Sequence, residues 1–77
     1  MKWLDDLEIK NVGEIVENPY TRQSCFLNEE AVAVYDAIKG AELLLSISYN
    51  KQSEQIFNEG LTYFRENWPT EYMILLD

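Results

Sequence analysis

The stretch from Gln55 to Trp68 constrains this chain more than any other. Phe57, Leu61, Phe64 and Trp68 recur at i, i+4, i+7 and i+11, and Ile56, Gly60 and Tyr63 flank them on one side. Gln55, Asn58, Glu59, Thr62 and Glu66 fall opposite. At 3.6 residues per turn this is an amphipathic helix with a narrow aromatic seam. Such a seam needs a partner of matching period. Upstream, Ala31, Val34, Ile38, Ala41 and Leu45 form a continuous stripe, widened by Ala33, Ala37 and Leu44. The spacing predicts a helix over 29–46, started by Asn28 as N-cap with Glu29 and Glu30 in the first turn, where carboxylates favour the helix dipole. A polar loop, SYNKQ (48–52), separates the two, and Ser53 is the expected cap of the second helix, which runs to about 67. Gly40 inside the first helix costs about 1 kcal/mol in propensity and suggests close packing or a kink there.

The rest of the chain attaches to that pair. Pro69 cannot continue the second helix but suits the first turn of a new one, so residues 70–77, TEYMILLD, read as a short final helix, with a terminal strand as the lesser reading. Residues 12–27, VGEIVENPYTRQSCFL, hold two short apolar runs around Asn18-Pro19-Tyr20-Thr21. Proline presets φ for the second turn position and asparagine favours turn initiation, so the segment reads as a β-hairpin. Residues 2–10, KWLDDLEIK, read as a short helix or irregular arm that lays Trp3 on the core. The expected fold is one small domain over residues 1–77. It is mainly helical α+β: an N-terminal arm, a short β-hairpin, an antiparallel amphipathic helix pair and a short C-terminal helix. An all-α fold with 12–27 irregular is the alternative. The expected core includes Val34, Ile38, Ala41, Leu45, Phe57, Leu61, Phe64 and Trp68.

Composition narrows the chemistry. The chain has no histidine, so the usual general base, triad base and imidazole ligand are missing. Its one cysteine allows no internal disulfide and no structural zinc site, and suggests a reducing, intracellular setting. Gly13, Gly40 and Gly60 are isolated, so no phosphate loop exists. The carboxylate pairs Asp5/Asp6 and Glu29/Glu30 are sequence neighbours that point apart on a helix, and no spacing is diagnostic of a calcium or magnesium site. Catalysis, cofactors and metals are therefore not expected. Cys25 would be reactive only if Arg22 lay beside it and lowered its pKa; its place next to Phe26 favours burial instead.

The net charge is -8, and Lys2, Lys10, Arg22, Lys39, Lys51 and Arg65 are scattered. Phosphate binding needs clustered cations, so direct contact with nucleic acid or anionic membrane is not expected. The start, MKWLDDLEIK, lacks the basic and apolar regions of a signal peptide, and the longest apolar stretch, AELLLSISY, is too short to span a bilayer. The expected location is the cytoplasm.

What remains is binding to other proteins. On the 29–46 helix, Val32, Asp36, Lys39 and Leu43 form a row of mixed character, flanked by Tyr35. Either the hairpin or arm covers that side, or it is an exposed patch for a partner or a second copy. Tyr20 and Arg22, at the hairpin tip, have no structural task in the sequence. The candidate partner contacts are therefore Tyr20, Arg22, Val32, Tyr35 and Leu43.

The order of motifs is also familiar. The turn NPYT, a leucine and an acidic helix start, AVAVYDAIKGAE, and the ending GLTYFRENWPTEYMILLD together resemble small uncharacterised accessory proteins of tailed, often marine, bacteriophages. The resemblance covers Asn18 to Asp77. Those proteins commonly carry glycine after the turn threonine, where this chain has Arg22, which bears on the turn geometry. The resemblance implies a viral accessory protein in a host cytoplasm and no activity, cofactor or functional residue. The leading expectation is a small acidic, non-enzymatic interaction module, with self-association open. The alternative is a DNA mimic that inhibits a nucleic-acid-binding protein. A domain about 30 Å across would face about 18 duplex phosphates, which fourteen carboxylates interleaved with six basic groups match poorly.

Overall fold

A computed structural model describes residues 2–9 and 12–77. Six elements follow in order: α1 (Lys2–Asp5), β1 (Glu14–Glu17), β2 (Ser24–Leu27), α2 (Glu29–Ile47), α3 (Lys51–Asn67) and α4 (Pro69–Leu75). The architecture is the mainly helical α+β arrangement expected. Lys10, at the end of the predicted arm, lies outside the described residues.

Helix α2 starts as its sequence dictates, with Asn28 Oδ1 accepting from the Ala31 amide at 2.8 Å. Helix α3 starts one turn earlier than expected. Asn50, not Ser53, is the cap: its Oδ1 accepts from the Ser53 amide at 2.8 Å, and Ser53 is a buried residue of the first turn. Asparagine is at least as good a cap as serine, and the earlier position adds Lys51, Gln52 and Ser53 to α3. Residues 48–50 alone join α2 to α3, which pack together as a helical hairpin. Trp68 ends α3 by donating its amide to the Phe64 carbonyl at 2.8 Å and starts α4 by accepting from the Tyr72 amide at 2.8 Å. Pro69, at the first position of α4, loses no bond there.

The core runs between α2 and α3 and continues onto β2 and α4. Leu27, Ala31, Val34, Ile38 and Phe64 are sealed from water. Val34, Ile38, Ala41 and Phe64 are buried as expected, whereas Leu45, Phe57, Leu61 and Trp68 are half-buried at its margin. Leu27 and Leu75 take their place, because β2 and α4 close the side of the helical pair that its own stripes leave open. Three rings form a ladder through this region, Tyr35 to Phe64 at 6.3 Å and Phe64 to Trp68 at 5.1 Å between centroids.

Gly40 behaves differently from the sequence expectation. Gly40 is exposed, with open space where a Cβ would stand; it marks neither a kink nor a contact. The close approach is at Gly60, where a Cβ would lie 2.7 Å from Ile38 Cγ1 and 3.5 Å from Trp3 Cη2. That approach also admits the arm. Trp3 Nε1 donates to Glu59 Oε1 at 2.8 Å, and Leu4 and Leu7 pack on the core.

Candidate interaction surface

The hairpin is built around Asn18. Its backbone amide donates to the Gln23 carbonyl at 2.7 Å, and its carbonyl accepts from the Arg22 amide at 2.8 Å, closing a four-residue loop. Its side-chain oxygen accepts from the Tyr20 amide at 2.9 Å. Its side-chain nitrogen donates to the Ile74 carbonyl of α4 at 2.9 Å. This asparagine is buried with its bonds made. The loop closes only with Arg22 in the left-handed region at φ 66°, a conformation that favours glycine. The Arg22 side chain folds back onto Glu17, with Nε 2.6 Å from Oε2.

Antiparallel pairing sets Glu14 opposite Leu27, Ile15 opposite Phe26, Val16 opposite Cys25 and Glu17 opposite Ser24. Side chains alternate across a strand, so Val16, Cys25 and Leu27 face the helices. Ile15 and Phe26 share the outer face, and Ile15 remains 74% exposed. Cys25 is half-buried rather than enclosed. Burial pushes its thiol up from the ordinary value, and the nearby Glu71 carboxylate pushes it further the same way. Arg22, held by Glu17, does not set its reactivity. The environment disfavours the thiolate, so the reactive-thiol reading has no support in this geometry.

The five candidate contact residues do not form one patch. Val32 and Tyr35 are core residues, 7% and 9% exposed. The arm residues Leu7 and Glu8 share a groove with Val32. The Tyr35 ring packs toward Phe64, with Lys39 Nζ 5.7 Å from its centroid. The covered-side alternative therefore applies to both. Tyr20 stands free at the hairpin tip, Arg22 is engaged with Glu17, and Leu43 is exposed on α2.

Leu43 has neighbours that the sequence reading did not single out. Leu44 and Ile47 are exposed beside it, Ile47 at 75%, and exposed Tyr49 follows. The signal was present in LLLSI. Three consecutive leucines sweep about 200° around a helix, so they cannot all join the buried stripe; Leu45 is half-buried, and Leu43 and Leu44 are exposed. Tyr49 donates its hydroxyl to Glu54 Oε1 at 3.0 Å. The second surface missed is the outer face of the hairpin. Its signal was equally plain: in the adjacent apolar pairs Ile15-Val16 and Cys25-Phe26, alternation forces one member of each outward.

Two ion pairs exist among the described residues, Arg22–Glu17 and Lys39–Glu42, the latter at 3.5 Å. No group of three metal-ligating side chains converges among the described residues, and none of their helices is long and apolar enough to cross a membrane. No family model, curated protein or solved structure matches this chain.

Proposed function

We propose that this chain is a small acidic protein-interaction module with no chemistry of its own, acting as the accessory protein its motif order resembles. The observation that carries the reading is the end of α2. Its last two turns run on past the buried stripe and present Leu43, Leu44 and Ile47, followed by Tyr49, to water. Scattered exposed apolar residues are ordinary on any protein. Three large ones on the last two turns of one helix and a fourth in the loop that follows, with Glu42 and Glu54 nearby in sequence, have the apolar centre and charged border of an interaction site.

The test is capture from bacterial lysate by the immobilised protein, with light scattering on the purified chain. Leu43→Glu with Ile47→Glu should leave the circular dichroism and melting transition unchanged, because neither side chain is in the core. The double substitution should abolish capture or self-association. A wild type that is monomeric and captures nothing the double variant does not also capture would refute the reading. Capture of a nucleic-acid-binding protein that resists the double substitution would instead favour the DNA-mimic alternative.

A further inference from the structure

The hairpin has an edge whose hydrogen-bonding phase can be worked out. Asn18 donates to the Gln23 carbonyl, so Asn18/Gln23 stands at a hydrogen-bonded position of the ladder, with its second bond given up to the turn, where the Asn18 carbonyl takes the Arg22 amide. Bonded pairs alternate along an antiparallel ladder. Val16/Cys25 and Glu14/Leu27 are then the other bonded pairs, and the amides and carbonyls of Ile15 and Glu17 point away from β2. No group among the described residues takes them up. The sheet has only these two strands, and β2 is the one packed against α4 and α2. Thus β1 is an open edge, with two outward amides and two outward carbonyls at the spacing of a strand.

Open edges invite pairing, and proteins usually guard them with lysine, proline or a bulge. In β1 the guards are shortness and two glutamates, one at each end of Glu14-Ile15-Val16-Glu17. These discriminate by charge. A second copy would bring four carboxylates into one short ladder and set one body of charge -8 against another. A strand of opposite sign would meet no such repulsion. In a paired strand, directly opposite residues share a face. The complement of acidic–apolar–apolar–acidic is therefore basic–apolar–apolar–basic, and the pattern reads the same for a parallel or an antiparallel partner.

We propose that β1 is a docking edge for an extended segment of another protein with the pattern basic–apolar–apolar–basic, bound by strand addition. Its outer apolar residue rests on Ile15 and Phe26, its inner one beside Val16, and its cations on Glu14 and Glu17. The Glu17 carboxylate is at present held by Arg22, whose side chain is 81% exposed; a screened surface pair of this kind yields readily to a competing cation. The proposal shares with the reading above only the premise that this chain binds proteins. The two surfaces lie on different elements, so their failures separate.

The probe is the capped hexapeptide TKVVKT, titrated into isotope-labelled protein and followed by amide shifts and hydrogen exchange. Saturation should slow exchange at the Ile15 and Glu17 amides by about tenfold or more, since exposed edge amides begin nearly unprotected. The charge-reversed TEVVET should bind at least about tenfold more weakly, the loss expected when like charges replace charge-assisted contacts. Ile15→Pro removes an outward amide and no ladder bond, a position proline tolerates at an edge. It should weaken TKVVKT by about tenfold, the share of one hydrogen bond. Should that variant not fold, Glu14→Lys with Glu17→Lys serves in its place, and the preference should invert to TEVVET. Leu43→Glu with Ile47→Glu should leave hexapeptide binding unchanged. Equal binding of both peptides, or shifts that avoid Ile15 and Glu17, overturns the proposal.

Discussion

Two substitutions of the same kind, Gly40→Ala and Gly60→Ala, should move stability in opposite directions. Both glycines lie inside helices, and replacing either removes about 1 kcal/mol of helix-propensity penalty. At Gly40 the new methyl meets nothing within 4 Å. The full gain should appear, and in a 77-residue domain 1 kcal/mol moves Tm by roughly 4–8 °C. At Gly60 the methyl carbon would start 2.7 Å from Ile38 Cγ1, well inside the 3.5–4.0 Å of an optimal carbon contact. Ile38 is among the largest fully buried side chains and belongs to the same core cluster as Val34 and Phe64. At that distance something must shift, and Cγ1 is not the free end of the side chain, so the helices must separate or Ile38 must leave its rotamer. Overpacking of this kind costs about 1–3 kcal/mol, leaving a net loss near 1 kcal/mol once the propensity gain is subtracted. Urea and thermal unfolding, followed by circular dichroism at 222 nm, measure both. The urea slope should stay constant, because neither change alters the surface exposed on unfolding. If Gly60→Ala raises Tm as much as Gly40→Ala, α2 and α3 do not meet at Gly60, and the placement of Trp3 against Glu59 falls with it.

Three further outcomes can be stated. Asn18→Ala leaves the Ile74 carbonyl without its donor and the Tyr20 amide without its acceptor; chemical unfolding should show a loss of about 2–3 kcal/mol. Arg22→Gly relieves a left-handed residue at the expense of an exposed ion pair worth 1 kcal/mol or less. Differential scanning calorimetry should show a neutral to stabilising change of up to about 1 kcal/mol. Cys25 should react with a disulfide reagent more slowly than a free cysteine at neutral pH, and Glu71→Gln should speed it by removing one of the two causes that raise its pKa. The same raised value means that its linkage contribution is fully present below the unfolded-state pKa and lost as pH rises through the folded one. Alkaline unfolding should therefore be eased in the wild type and less so in Cys25→Ala.

Much of the fold was legible because its signals are local. The α3 seam, the Asn28 cap and the Asn18-Pro19 turn each settle a short stretch through spacing or a single hydrogen bond, and each holds in the structure. The start of α3 was misplaced because Asn50 and Ser53 are both competent caps three residues apart, and the apolar seam that begins at Phe57 fits either start. Gly40 was misread for a different reason. Propensity penalises Gly40 and Gly60 alike; which one faces another element is a property of the pair, not of the residue. The candidate surface suffered most. Whether Val32 and Tyr35 meet water depends on where the arm and the Phe64 ring settle, which no period along α2 encodes. The exposed ends of LLLSI and of Ile15-Val16 were available by counting, since one face of one element cannot hold every apolar neighbour.

Asn18 and Trp3 make their anchoring side-chain bonds to Ile74 and Glu59, each 56 positions along the chain. Both terminal attachments therefore wait on partners synthesised far later than themselves. The hairpin can form its own ladder early, but an isolated two-stranded ladder is marginal, and closing so long a loop has to precede the contacts that reward it. Order at the front of this protein is in that sense held from the back: removing residues 74–77 should free the hairpin and its open edge while leaving α2 and the first turns of α3 helical.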